Sequence, residues 1–177
     1  MEYAFNGVTP VILGFLDFGS RSGYDIKNAV DKSTRFFWAA SYGQIYPELR
    51  RLEKSGLIEG ESAPRGGRRR TVYTITDAGR EALLRWLRAP ELTREVRDEG
   101  MLKLFFAGAL EPEEALGLLQ AKRRQHEEAL RRLRAIELDT PESEGLPYVV
   151  LQGGLAIHES IVEWCSKMER RLGKGGS

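Results

Sequence analysis

Between Ser41 and Thr76 the apolar pattern changes period once, and that change limits the folds open to the chain. Ile45, Leu49 and Leu52 recur at spacings of four and three, which is one stripe of a helix. Gly56 is placed to stop that helix. From Leu57 the pattern alternates, over Leu57-Ile-Glu-Gly-Glu-Ser62 and again over Thr71-Val-Tyr-Thr-Ile-Thr76. Between the two runs lies Pro64-Arg-Gly-Gly-Arg-Arg-Arg70, so they read as a two-stranded hairpin with a glycine-rich, arginine-loaded tip.

The helix before the hairpin starts badly. Gly43 and Pro47 occupy its first two turns, where a helix built only for stability would carry Ala or Glu. Ser41 and Gln44 stand at the separation of a capping box. Pro47 is expected to limit or distort the first turn.

Two helices precede this one. The first spans Thr9 to Phe18, with Thr9 as cap and Pro10 at its first position. Gly19-Ser-Arg-Ser22 is a turn, and Gly23 to Lys32 is a second helix carrying Tyr24, Ile26, Ala29 and Val30. Phe36-Phe-Trp38 leads into the third. After the hairpin, Thr76 or Asp77 caps a fourth helix that runs to Arg88, and Ala89-Pro90 marks a boundary. Helix, helix, helix, hairpin, helix is the order of a winged helix-turn-helix. The remainder shows three helical patterns: Thr93 to Ala107, Pro112 to Leu138, and Tyr148 to Leu172. The expected fold class is therefore mainly α with a small two-stranded β-wing, a winged helix-turn-helix followed by an α-helical dimerisation domain. The expected domains are 1–89, 90–172 and a disordered tail, 173–177.

Charge supports two jobs. Residues 1–89 hold 14 Lys+Arg and 10 Asp+Glu, a net of +4, and residues 90–177 hold 13 and 16, a net of −3. The single cysteine, Cys165, excludes an internal disulfide framework and reads as a core residue beside Trp164 and Met168. With no signal-peptide pattern and no apolar run of membrane-spanning length, a cytoplasmic location and no membrane partner are expected. His126 and His158 lack a third ligand at metal spacing. No P-loop, dinucleotide fingerprint or nucleophile motif occurs. No metal, cofactor or enzymatic activity is expected.

In a helix-turn-helix, the start of the third helix faces base edges in the major groove. There Gly43 would permit close backbone approach, Gln44 could pair with adenine, Arg50 with guanine or phosphate, and Tyr46 with phosphate or a thymine methyl. The alternative is that Gln44 is only a cap and Tyr42 and Tyr46 are packing residues. The wing arginines suit phosphate or the minor groove. The full candidate DNA-binding set is Tyr24, Ser41, Tyr42, Gly43, Gln44, Tyr46, Arg50, Arg51, Arg65, Arg68, Arg69 and Arg70. The last helix is apolar over more than one stripe. That suggests a homodimer through Leu151, Leu155, His158, Ile161, Val162 and Cys165, with Gly153-Gly154 permitting close approach. The alternative is a helix buried wholly in its own subunit. Phe37, Trp38 and Trp164 line an effector pocket or serve packing.

The segment Gly43-Gln-Ile-Tyr-Pro-Glu-Leu-Arg-Arg-Leu-Glu-Lys-Ser-Gly-Leu-Ile58, with Arg70-Thr-Val-Tyr-Thr-Ile-Thr-Asp-Ala-Gly-Arg-Glu-Ala-Leu83, resembles the PadR family of transcriptional regulators. Leu13-Gly through Ser22-Gly-Tyr-Asp-Ile26, and Phe37-Trp38, are similar to its first helices and the entry to its third. The second half resembles the subgroup with a longer helical C-terminal domain. Gln44 departs from the small hydroxyl residue common in the family, which bears on the operator sequence. The resemblance implies a homodimeric repressor of double-stranded operator DNA, released in some members by a phenolic or hydrophobic effector. The competing function is a winged-helix module that binds protein without specific DNA binding.

Overall fold

The computed structural model describes residues 4–65, 68–90 and 98–174, with the side chains of 63–65, 68, 69, 144 and 174 outside the described set. Chain contacts divide it into two compact units, Met1–Leu92 and Thr93–Ser177.

The first unit runs α1 (Thr9–Asp17), β1 (Arg21–Ser22), α2 (Gly23–Lys32), a 3-10 turn at Thr34–Phe36, α3 (Tyr42–Lys54), β2 (Ile58–Arg65), β3 (Arg68–Ile75) and α4 (Asp77–Arg88). Its core is the set of apolar residues that the periods mark: Ile12, Leu13 and Leu16 from α1, Ile26 and Val30 from α2, and Ile45, Leu49 and Leu52 from α3. Ile58, Tyr73 and Ile75 add the buried face of the hairpin, and Ala82 and Leu83 that of α4. The hairpin pairs Ile58 with Ile75 and closes at Arg65 with Arg68. The sheet order is β1-β3-β2, because Arg21 and Ser22 pair with Tyr73 and Val72. Part of the stretch expected as a turn is thus a short third strand beside the wing.

Capping sets several boundaries. Gly56 takes φ +69 beyond α3; its N–H bonds to Glu53 O, and that of Leu57 to Leu52 O, the paired closure that left-handed glycine allows. Thr76 rather than Asp77 caps α4, accepting from Gly79 N. Thr9 does not cap α1. It is the first helical residue and is buried, while Asn6 Oδ1 accepts from Val8 N and Thr9 N. Pro47 lies inside α3, which runs from Tyr42 to Lys54.

The second unit holds α5 (Glu99–Phe106), α6 (Pro112–Leu138) and α7 (Leu146–Lys174), with 3-10 turns at Ala107–Ala109 and Glu142–Glu144. The start expected for α5, before Asp98, lies outside the described residues. α7 continues through Gly173 and Lys174, so these two are helical rather than tail; 175–177 lie outside the described residues. α6 and α7 bury Leu119, Leu130, Leu133, Leu151, Leu155 and Cys165. Among the described residues no helix is long and apolar enough to cross a membrane.

Candidate nucleic-acid interface

The interface is built on the outer face of α3. At 100° per residue, the buried set Ile45, Glu48, Leu49 and Leu52 lies opposite the row Gly43, Pro47, Arg50 and Lys54. All four of that row are exposed. The row begins with two residues of low relief and ends with two cations. A Cβ on Gly43 would meet only Ser41 Oγ, at 3.8 Å, so this position is open to the outside and not to the core. The poor helix start is a smooth surface bought at the expense of helix propensity.

Gln44 is a cap. Its Oε1 accepts from Ser41 N and from Ser41 Oγ, each at 3.0 Å. A paired contact to adenine also needs that oxygen as an acceptor, so it would compete with the cap. Tyr42 and Tyr46 flank the outer row and stack with ring centroids 6.1 Å apart. Lys27 of α2, paired with Asp31, lies 5.6 Å from the Tyr42 ring centre. Gly23 is what lets α2 and α3 close together: a Cβ there would press into the Tyr46 ring at 2.8 Å. Tyr24, in the first turn of α2, is exposed.

Two expected DNA arginines have partners inside the unit. Arg51 makes a paired contact to Glu48, Nε to Oε2 and Nη2 to Oε1, each 2.8 Å, and reaches Ala4 O at 3.0 Å. Arg70 pairs with Asp25, the carboxylate that also accepts from Ser22 N at the start of α2. Within the unit both act as ties: one holds the N-terminal segment to α3, the other holds the wing to α2. The backbone places Arg65 and Arg68 as the last pair of the hairpin, and Arg69 follows; their side chains lie outside the described residues.

Beside the first turn of α3 is an open cavity of about 490 Å³, lined by Asn6, Val8, Trp38, Gly43, Gln44 and Pro47 among others. The Trp38 indole N–H donates to Gly7 O, which fixes the ring there. Phe37 is exposed in the same unit, and Trp164 is exposed on α7 in the other.

Three of the residues expected at a dimer interface pack inside the second unit. Leu151, Leu155 and Cys165 are buried within their own unit, and burial raises the Cys165 thiol pKa. His158 Nδ1 meets His126 Nδ1 of α6 at 2.8 Å. Ile161 and Val162 are half-buried. The exposed side of α7 carries Val149, Val150, Ile157 and Trp164 instead, with Gly153 also open and Gly154 turned to Leu133.

Against known proteins, residues 12–85 match the transcriptional regulator PadR-like family, and residues 96–173 match the virulence activator alpha C-terminal family. The negative transcriptional regulator PadR of Bacillus subtilis (strain 168) is 31% identical over 92% of this chain and 96% of that one. This chain belongs to the PadR-like family of transcriptional regulators. B. subtilis PadR in complex with operator DNA matches the structure with a TM-score of 0.82 at 30% identity, covering 94% of this chain and 99% of that one. The same regulator in complex with p-coumaric acid matches at 0.76 and 29%, covering 95% and 99%. As the motif resemblance implied, this PadR-like protein is a DNA-binding transcriptional regulator of winged-helix fold.

For this PadR-like chain, sequence reasoning missed Lys54, although it continues the row of Gly43, Pro47 and Arg50 and helical spacing was enough to find it. It also missed Asn6, Gly23 and Asp25, whose roles depend on partners distant along the chain.

Proposed function

We propose that this protein is a homodimeric repressor that binds an inverted-repeat operator, with α3 in the major groove and the arginine-rich hairpin tip on phosphate or the minor groove. The observation that carries this reading is the outer row of α3, flat at Gly43 and Pro47 and cationic at Arg50 and Lys54, on a fold shared with a PadR bound to operator DNA. Candidate contacts are Tyr24, Tyr42, Gly43, Tyr46, Arg50 and Lys54, with Arg65, Arg68 and Arg69 at the wing. The B. subtilis relative is a negative regulator, which supports repression. The uncovered apolar side of α7 supports a dimer, because a two-helix packing leaves Ile157 62% exposed. The p-coumaric acid complex of that relative supports release by a small aromatic or hydrophobic effector.

The test is selection of bound duplexes from random DNA, followed by footprinting and sedimentation. The expected product is an inverted repeat with half-sites about one helical turn apart, or a multiple of it, bound by a dimer. A single unrepeated site, or a monomer at micromolar concentration, would contradict the proposal. A second reading, activation, is favoured by the C-terminal match to a virulence activator family. In vitro transcription from a promoter carrying the selected site separates the two.

A further inference from the structure

Glu48 is a carboxylate on the inner face of the helix assigned to the groove, and it is 4% exposed. A lone buried carboxylate is costly, and here each oxygen takes two donors. Oε1 accepts from Thr9 Oγ at 2.5 Å and Arg51 Nη2 at 2.8 Å; Oε2 accepts from Asn6 Nδ2 at 2.7 Å and Arg51 Nε at 2.8 Å. Asn6 Oδ1 in turn accepts from Val8 N and Thr9 N at the start of α1. The start of α1 and the middle of α3 thus meet on one carboxylate.

The apolar neighbours Ile45, Leu49 and Leu52 hold α3 by non-directional contact. Hydrogen bonds are directional and weaken steeply when bent. Rotation of a helix by about 20° moves its outer surface by ~2 Å, since the radius with side chains is ~5–6 Å. A base contact does not survive that shift. Gly43 and Pro47 lower the intrinsic helix propensity of the first two turns, and Pro47 lacks an N–H, so contacts from outside the helix must fix its angle.

We propose that Glu48 is a positioning residue for operator recognition, which sets the rotation of α3 against α1, and that Arg51 acts through Glu48 and not on DNA. The proposal rests on the reading of α3 as the groove helix.

The experiment compares wild type, Arg51→Gln, Glu48→Gln/Arg51→Gln and Asn6→Ala on the selected operator duplex and a scrambled duplex across several salt concentrations. Circular dichroism checks the fold of each. Positioning predicts that Arg51→Gln and Asn6→Ala lower the operator-to-scrambled affinity ratio by about tenfold, the loss of one base contact. The slope of log affinity against log salt stays that of wild type, and the double variant regains part of the ratio because Glu48 is no longer an unpaired buried charge. A phosphate contact predicts otherwise. Arg51→Gln would then weaken both duplexes equally and flatten the slope by about one, and Glu48→Gln would rescue nothing. That result overturns the proposal, as does an unchanged ratio in Asn6→Ala, the variant that leaves the buried ion pair in place. Wild-type protein that does not distinguish the two duplexes would overturn the groove reading itself, and the proposal with it.

Discussion

Single residues in this protein are decided by what faces them. Gly79 lies in the first turn of α4, where a Cβ would fall well inside 3.0 Å of the Leu57 carbonyl oxygen and would also press on Ile75. In an open helix Gly→Ala gains about 0.5–1 kcal/mol. Overpacking costs about 1–3 kcal/mol, and more where backbone must move, so it wins. Gly79→Ala is therefore expected to destabilise the first unit, read as a lower urea midpoint with unchanged m-value. Gly43 is the opposite case. Gly43→Leu adds a side chain that meets no core atom, so the melting curve stays close to wild type while selective operator binding is lost. A variant that folds and still selects the operator would remove α3 from the groove. Arg68→Ala should weaken selected and scrambled duplexes alike and flatten the salt slope by about one for each lost phosphate contact. Retention of the wild-type slope would take this arginine off the DNA backbone.

At the scale of elements, the pairing of α6 and α7 includes a polar layer. His126 and His158 share a hydrogen bond at 2.8 Å, and Lys122, buried nearby, pairs with Asp98 at 2.6 Å. Burial lowers both imidazole pKa values; His158 and Lys122 lower that of His126 further, while Asp98 opposes. The unfolded chain then binds more protons than the folded one below the ordinary histidine value near 6.5. The stabilisation from neutral imidazoles is full above about 6.5 and is lost as pH falls from there toward the folded values. Thermal melts between about pH 7.5 and 5 should show stability falling over that window, and the fall should shrink in His158→Gln. An identical pH profile in that variant would mean that His158 titrates as it does in the unfolded chain. The helices themselves were legible in their apolar spacing. β1 was not, because two residues carry no period; only the edge of β3 makes Arg21 and Ser22 a strand.

At the scale of the whole molecule, the uncovered apolar side of α7 belongs to the proposed dimer. Ile157→Arg puts a charge into that surface, at a cost of roughly 3–5 kcal/mol when buried without a partner. Sedimentation should show a monomer, and binding to a two-half-site operator should fall to that of a single half-site. A dimer that survives Ile157→Arg would move the two-fold contact elsewhere, α5 being the next candidate, since its Phe105 is 81% exposed.

The linear order of periods was enough for the winged helix-turn-helix and its hairpin, and the motif resemblance over 43–58 and 70–83 for its family. Those depend on local backbone preference and on which side of each element is apolar, and both are written residue by residue. Which charged or apolar groups face out was settled only by packing. Arg50 and Arg51 are neighbours in sequence and equally basic, yet Arg51 is drawn to Glu48 by a carboxylate that the start of α1 helps hold in place. Leu155 and Ile157 are two residues apart on one apolar helix, yet one faces α6 and the other faces out. A helix turns 100° per residue, so its neighbours meet different surroundings, and those surroundings come from chain segments that local sequence does not contain.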